Sequence, residues 1–290
     1  MKKVLIIITT IFAIFSLSGC GGGGSSSDNK AKLAKATYEN ALKVQDALFS
    51  KTISSSGYEA RATNNSSNTP LIYNLAKDFL KKQIKNSNYK ARIIEDVCLS
   101  GSLDLETINE TSTSKTLIYR YNNCNDGVKV INGTVEVTLG SKSGNVYYTQ
   151  NIRFKDNYSV KYQDGSTINI ANGGAIDITL TSYISENRYN FILDTTMKLT
   201  QNGYSFGYEG YEAHYSIKYN NTKWYLTTGI IYINNYKEYV IWDNRYDMSL
   251  TPYVLNTNGY PLEGEARFKM DGGNLRIIAD NGAIVLDIQK

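Results

Sequence analysis

The stretch YNFILDTTMKL, Tyr189 to Leu199, places an apolar side chain at almost every second position. The same alternation runs through TVEVTL, Thr134–Leu139, and through AIDITL, Ala175–Leu180. Because successive side chains of a strand point to opposite faces, this period of two predicts strands with one covered face and one solvated face. From residue 97 onward the pattern therefore predicts a domain built mainly of β-strands.

Two turn sequences indicate how these strands connect. QDGS at 163–166 and DNGA at 280–283 each stand between alternating segments, and Asp-Gly and Asn-Gly are the strongest short signals for a β-hairpin. No helical pattern interrupts the strands, whereas parallel neighbours would need crossover connections. We therefore expect a mainly β fold, a large twisted antiparallel meander sheet or half-barrel with two N-terminal helices packed on its apolar face.

The residues before the sheet predict those two helices. Asp28 is the expected N-cap of the first, whose apolar stripe at helical spacing consists of Leu33, Thr37, Ala41, Val44 and Leu48. The second is expected to begin at Thr69–Pro70, a capping hydroxyl followed by proline at the first helical position. Its stripe consists of Ile72, Leu75, Phe79 and Ile84. Each stripe is narrow, so each helix is expected to pack on a larger element.

The N-terminus is positively charged and continues with an apolar run from Val4 to Leu17. This run is shorter than the roughly 20 residues of a membrane-spanning helix, and a short apolar run behind a positive start is typical of an export signal. It ends in LSGC at 17–20, which resembles the lipobox of bacterial lipoproteins. An uncleaved signal anchor, or a plain signal peptide with an unrelated cysteine, is the alternative.

The resemblance implies cleavage before Cys20, a lipid on its thiol and a further acyl chain such as palmitate on the new amino group. Residues 1–19 would be the signal peptide and residues 20–27 the lipidated cysteine with its Gly/Ser tether, which should be a flexible coil. Two or more acyl chains anchor a protein stably to a membrane. Gly21 follows the cysteine, and in this family that favours the outer membrane of a diderm bacterium.

The rest of the chain is expected to form a helical lead-in, 28–96, and an antiparallel β domain, 97–290, within one folding unit. The formal net charge is +4 without a block of basic residues, so nucleic acid is not an expected partner. Tyrosine dominates the aromatic residues, with 24 Tyr against 8 Phe and 2 Trp. Tyrosine suits strands and half-exposed surfaces, because its ring packs while its hydroxyl stays hydrated.

Cys98 and Cys124 remain once Cys20 is lipidated, and a pair in an exported chain is expected to form a disulfide. A hairpin centred near Thr111 would pair Leu105 with Leu117, Leu103 with Tyr119, Gly101 with Tyr121 and Cys98 with Cys124. Opposed Cα atoms in such a ladder lie about 4.5–5.5 Å apart, within disulfide range. This register places the cysteines on the polar face with Ser100, Ser102 and Arg120. A redox-active pair or a metal site is the alternative.

Candidate catalytic residues are few. His214 is the single histidine, and the alternation around it places it on the polar face of a strand, whereas a Ser-His-Asp site needs a buried, oriented histidine. Asp243 with Asp247 and Glu263 with Glu265 are the carboxylate pairs to consider for a glycosidase. Arg267 beside the second pair explains it as a solvated charge cluster, and the first lacks the ligand density of a calcium site. We expect no enzyme, no metal and no cofactor.

Residues 206–239 form the densest aromatic region of the chain. A hairpin at Asn220–Lys223 is expected to pair Tyr219 with Trp224 and Ile217 with Leu226. Most of these rings are expected in the core or in cross-strand ladders. A platform for a glycan or a lipid is the alternative, because apolar concavities with a few polar groups are the usual ligand sites.

Past the lipobox, the chain resembles β-rich cell-envelope lipoproteins of unknown function. The features that carry this resemblance are its tether, its helical lead-in and its paired cysteines. The favoured hypothesis is a non-enzymatic structural or interaction lipoprotein, attached to the membrane through Cys20, with an envelope protein, a glycan or a lipid as partner. The alternative is a periplasmic-facing carrier or sensor that holds a lipid or other hydrophobic ligand between sheet and helices. That carrier would resemble in outline the half-barrel lipoproteins that ferry lipids, and a hydrolase comes third.

Overall fold

The computed structural model of the chain describes residues 30–50, 69–76, 98–144, 146–185, 187–219, 221–244, 250–256 and 261–290. All of these except Lys30 belong to one compact unit, Ala31–Lys290, and the other unit is Met1–Lys30. The expected ends of the signal peptide, the tether and the helical lead-in, at residues 19, 27 and 96, lie outside the described residues.

Short strands frame the first helix, and long strands follow it. The N-terminal elements are β1 (Lys32–Leu33), α1 (Tyr38–Leu48), β2 (Phe49–Ser50) and β3 (Thr69–Pro70), with a second helical segment over 71–76. The next elements are β4 (Ser100–Glu110), β5 (Lys115–Asn125), β6 (Lys129–Ser143), β7 (Val146–Tyr162), β8 (Thr167–Ile170) and β9 (Ala175–Ser185). The last are β10 (Arg188–Gln201), β11 (Tyr204–Lys218), β12 (Asn221–Ile233), β13 (Glu238–Asp243), β14 (Tyr253–Leu255), β15 (Pro261–Met270), β16 (Gly273–Asp280) and β17 (Ala283–Gln289).

The described residues form one 15-stranded sheet in which most long strands pair with the next strand along the chain. β8 and β9 share one position between β7 and β10, and β13 and β14 share one position between β12 and β15. The prediction of a mainly β fold with one large sheet is confirmed. Within the described residues β4 and β17 lie at the edges of the sheet, which is not a barrel.

The prediction of a wholly antiparallel sheet is wrong at one position. β1 pairs with β13 in parallel, with Lys32 opposite Glu238 and Leu33 opposite Tyr239. A parallel pair needs a long connection, and here the chain from Leu33 to Glu238 supplies it. Because the short alternation at residues 32–36 fits a helix as well as a strand, periodicity alone could not reveal this pairing.

The first helix begins later than predicted. Thr37 is its N-cap, with an extended backbone and a side chain that accepts from the Asn40 amide at 3.3 Å. The expected cap, Asp28, lies outside the described residues, and Leu33 belongs to β1 rather than to the helix. Thr37, also expected in the apolar stripe, is exposed at the N-cap, whereas Ala41, Val44 and Leu48 are buried as predicted.

The second helix also begins after its expected start. Thr69–Pro70 forms a short strand with β2, and the described helical residues are 71–76. Ile72 and Leu75 are buried as expected. The other two predicted stripe residues, Phe79 and Ile84, lie outside the described residues. The prediction that two helices cover the apolar face of the sheet extends over such residues and stays a prediction.

Two predicted hairpins form as expected. The turn between β16 and β17 places Asn281 and Gly282 at positive φ, 49° and 85°, as a two-residue hairpin turn requires. The turn between β7 and β8 is closed by Asp164, whose Oδ1 accepts from the Ser166 amide at 2.9 Å.

The predicted register of the hairpin between β11 and β12 is wrong by four residues along the ladder. Trp224 pairs with Tyr215 rather than with Tyr219, and Ile217 pairs with Thr222 rather than with Leu226. Lys218 lies opposite Asn221, and Tyr219 takes a positive φ of 54° in the connection. The turn is therefore tighter than the polar run suggests. The shift is even, so each residue keeps its predicted face.

Candidate functional site

Cys98 and Cys124 form the expected disulfide, with their Cα atoms 5.1 Å apart. The surrounding register differs from the prediction, because Leu105 pairs with Tyr119 and Leu103 with Tyr121. The register shifts again between Ser100 and Ser102, so that Ser100 lies opposite Asn125. Gly101 takes a positive φ of 78° there, and a Cβ on it would lie 2.0 Å from the Asn123 carbonyl oxygen. The predicted Gly101–Tyr121 pair does not form.

Cys124 lies on the apolar face, so its predicted place beside Ser100, Ser102 and Arg120 on the polar face is wrong. It is buried with Tyr119 and Tyr121 of the same strand. The cause is a β-bulge between Tyr121 and Cys124, where Asn123 has a positive φ of 48°. One extra residue in a strand moves all later side chains to the opposite face. Cys124 therefore belongs to the core, and Cys98 packs against it.

Aromatic side chains form a row across the apolar face. Phe191 of β10, Tyr215 of β11, Trp224 of β12 and Tyr253 of β14 occupy paired positions on neighbouring strands. Their ring centroids lie 4.7, 6.2 and 4.9 Å apart in that order, and all four rings are buried. This part of the aromatic region is core, as the alternation predicts.

The N-terminal segments contact this row directly. Tyr73, from the second helical segment, stacks on Tyr215 with ring centroids 4.9 Å apart. Phe49 of β2 meets Trp224 and Tyr253 edge-on, at 5.8 and 6.0 Å. Burial raises the pKa of Tyr73 to about 12. Tyr73 and Phe49 therefore cover this part of the aromatic row.

Gln150 is an amide at an apolar position of β7. It is buried between Leu139 of β6 and Ile178 of β9, and neither its Oε1 nor its Nε2 has a hydrogen-bond partner. On the other side of β9 from Gln150, Thr195 of β10 pairs with Ile176. Its hydroxyl is also buried without a partner. A buried polar group left unpaired costs about 1–3 kcal/mol. In the sequence, Gln150 stands at the same alternating positions as the apolar residues Ile152 and Phe154 of its strand. The sequence-based prediction did not include it.

Arginine side chains bind two carboxylates of the polar face, Asp177 and Glu265. Arg153 binds Asp177 through both carboxylate oxygens, at 2.6 and 3.1 Å, and Asn151 donates to the same aspartate at 2.7 Å. Glu265 bridges Arg267 and Arg276. Glu263 is exposed on the same strand and face, so the predicted pair is part of a surface charge cluster rather than an isolated acid and base.

His214 lies on the polar face of β11, half-buried, and its Nε2 is 3.2 Å from Oε1 of Glu212. The same glutamate oxygen accepts from the hydroxyl of Thr227 at 2.7 Å. No serine or cysteine nucleophile completes this group within the contacts of the described residues. Of the other candidate pair, Asp243 ends β13 and Asp247 lies outside the described residues, as does Cys20.

Comparison with known proteins yields no relatives: no family model, no curated protein and no solved structure matches the chain. Among the described residues, no helix has the length and hydropathy to cross a membrane. The described residues also contain no group of three or more histidine, cysteine or carboxylate side chains placed to hold a metal ion.

Proposed function

We propose that this chain is a lipid-anchored protein of the bacterial cell envelope, held by acyl chains on Cys20 and located at the outer membrane. The support is the order of segments at its N-terminus: a positive start, a short apolar run, LSGC at 17–20 and a Gly/Ser tether. The disulfide between Cys98 and Cys124 suits an oxidising compartment outside the cytoplasm.

In this proposal the protein has a non-enzymatic structural or interaction role. The observation that carries it is the occupation of the apolar face by Tyr73 and Phe49, together with carboxylates such as Asp177 that are bound by arginine. Aromatic rings packed against the apolar face and ion-paired surface carboxylates suit a scaffold that meets partners through its polar face. Catalysis would instead need a titratable group positioned in a cleft.

The proposal includes a curved sheet that wraps the N-terminal helices as a half-barrel. Its support is that α1 contacts both β12 and β17, which lie several strand positions apart. Asn40 of α1 also accepts a hydrogen bond from Asn234 at the end of β12, at 3.2 Å. A sheet that curves around one helix explains how both strands reach it.

Crosslinking in intact envelopes tests the interaction role. Cells expressing the full chain would be treated with a short crosslinker, and captured partners compared between the natural protein and Cys20→Ala. We expect reproducible envelope partners that depend on Cys20, and metabolic labelling of the natural protein alone by a palmitate analogue. Absence of any Cys20-dependent partner would contradict the interaction role, and labelling of Cys20→Ala would contradict the anchor.

A carrier of a hydrophobic ligand is the second candidate, favoured by the unpaired polar groups of Gln150 and Thr195. A ligand with a polar head and an apolar body would satisfy these groups against β7 and β10. Native mass spectrometry of the full chain, purified from its own envelope, separates the two roles. A stoichiometric added mass that Gln150→Leu removes would support the carrier. The adjacent polar-face variant Asn151→Leu is the control and should keep that mass.

A further inference from the structure

A small groove opens on the polar face of the sheet, away from the aromatic row and the disulfide. Its volume is about 220 Å³, and three apolar residues line it together with the polar Asn157, Asn169 and Thr200. Lys198 and Tyr236 line it as well. The volume lies below the roughly 300–1,000 Å³ of pockets for drug-sized molecules, so the groove suits a smaller ligand.

Tyr236 reaches this groove from an unusual turn. The connection between β12 and β13 places Asn234, Asn235 and Tyr236 in succession at positive φ, 54°, 56° and 65°. Asparagine adopts this conformation readily, whereas a bulky residue such as tyrosine does so rarely. The turn folds the tyrosine ring back over the polar face.

Gly207 of β11 provides the space for that ring. It pairs with Lys198 on one side and with Tyr232 on the other. A Cβ at Gly207 would lie 3.1 Å from Cδ1 of Tyr236 and 3.2 Å from Cβ of Tyr232. Gly207 is buried although it belongs to the polar face, which indicates that the tyrosine side chains cover it. The ring is therefore supported by the strand beneath it.

The groove combines three kinds of group at short range. The Tyr236 ring is half-buried, and the ammonium of Lys198 lies 5.1 Å from its centroid. Asn157 and Asn169 are exposed amides, and Thr200 adds a half-buried hydroxyl. An exposed cation–π contact contributes only about 0.5–1 kcal/mol, so a ligand can displace the ammonium from the ring.

We propose that this groove binds a sugar residue of a glycan. The C–H face of a sugar packs on an aromatic ring, while its hydroxyls exchange hydrogen bonds with amides, a hydroxyl and an ammonium. A lipid tail would leave the two amides and the ammonium unpaired, and a single lysine is a weak site for a polyphosphate. This inference rests on the interaction role proposed above, for which a glycan would be the partner.

Saturation-transfer NMR tests the site on the full chain, solubilised in a detergent without a sugar headgroup. The probes are glucose, galactose, N-acetylglucosamine and glucuronic acid, each at millimolar concentration. We expect transfer to the C–H protons of at least one sugar, roughly tenfold weaker binding in Tyr236→Ala, and a similar loss in Gly207→Val, which displaces the ring without removing a groove side chain.

Tyr219→Ala is the matched control, because Tyr219 is an exposed turn tyrosine with positive φ at the other end of β12. Its variant should bind as the natural protein does. If Tyr236→Ala fails to fold, Asn169→Ala, an exposed change in the groove wall, replaces it. Transfer to none of the four sugars, or transfer unchanged in the groove variants, would overturn the site. Neither result depends on the lipid anchor or on the crosslinking experiment. Failure of the sugar site can therefore be distinguished from failure of the proposed interaction role.

Discussion

The hydroxyl of Tyr208 donates a hydrogen bond to the carbonyl oxygen of Ala47, at 2.6 Å, and so joins β11 to the last turn of α1. The two residues are 161 positions apart in the chain, and the contact is buried. Carbonyl groups in the last turn of a helix have no partner within the helix. Tyr208 therefore satisfies a group that would otherwise be buried and unpaired.

Tyr208→Phe should lower the free energy of unfolding by about 1–3 kcal/mol, because it leaves the Ala47 carbonyl unpaired while the ring stays in place. Urea unfolding, followed by circular dichroism, measures the change. Tyr225→Phe, an exposed tyrosine on the neighbouring strand, is the control and should change stability by less than about 0.5 kcal/mol. Equal effects of the two variants would show that the Tyr208 contact does not join helix and sheet.

Replacing the disulfide by Cys98→Ala with Cys124→Ala should cost about 3–4 kcal/mol, given a sequence separation of 26 between the cysteines. Reduction of the natural protein should produce a similar loss, measured as a lower urea midpoint. The double variant should then be insensitive to reductant. Cys20→Ala, which leaves this bridge intact, should keep the stability of the folded domain. A double variant as stable as the natural protein would contradict a structural role.

Gly229→Ala should destabilise the fold by about 2–5 kcal/mol. Gly229 has a φ of 148°, and a Cβ there would lie 2.6 Å from Cζ2 of Trp242 and 2.8 Å from Cα of Tyr211. The indole passes over this glycine to meet the Tyr211 ring edge-on, at 5.4 Å. Overpacking costs about 1–3 kcal/mol, and the backbone conformation adds about 1–2 kcal/mol.

Gly203→Ala is the control for the cost of the backbone conformation alone. Gly203 also has a positive φ, 83°, but a Cβ there would meet nothing within 4 Å. Its variant should lose only about 1–2 kcal/mol. Thermal or urea unfolding ranks the two variants, and a Gly203 variant as damaging as the Gly229 variant would show that contact with Trp242 is unimportant.

Asp194→Asn should stabilise the protein at neutral pH. Partial burial raises the pKa of Asp194, and the neighbouring Glu212 and Asp177 raise it further. Because the folded state binds this proton more tightly than the unfolded chain, the native aspartate favours folding at low pH and opposes it once the pH rises through the raised pKa. The advantage of the variant should therefore shrink as the pH falls towards the ordinary aspartate pKa of about 3.9.

Urea midpoints measured between acidic and neutral pH test this sign. Asp104→Asn, on the exposed edge strand β4 and opposite Arg120, is the control for replacing a surface carboxylate by its amide. Asp194 keeps contact with solvent despite its partial burial, so screening keeps the effect small. A variant that is less stable than the natural protein at neutral pH would contradict the repulsion between Asp194 and its neighbours.

Much of the sheet was predictable because side-chain alternation is a local property. Tyr189, Phe191 and Leu193 are buried as their spacing predicts, and Asn281-Gly282 makes the expected turn. The pairing of Cys98 with Cys124 was also predicted, although the register that led to it was two residues out. That success depended on the length of the hairpin rather than on its detailed geometry.

The errors share a physical cause. The bulge at Asn123 changes the face of Cys124, and the tight turn at Tyr219 changes the partner of Trp224. Both positions take a positive φ without a glycine to mark them in the sequence. Gln150 differs from these two positions, because a glutamine at an apolar position is visible in the sequence. Its buried, unpaired surroundings are visible only in the structure.

By itself the sequence determined most of the long strands from β4 onward and the apolar face of most of them, because both depend on neighbouring residues alone. Only the tertiary structure decided that β1 runs parallel to β13, that Tyr208 supports Ala47, and that Tyr236 lies over Gly207. These contacts join residues distant in the chain, and their geometry follows from the path of the whole sheet.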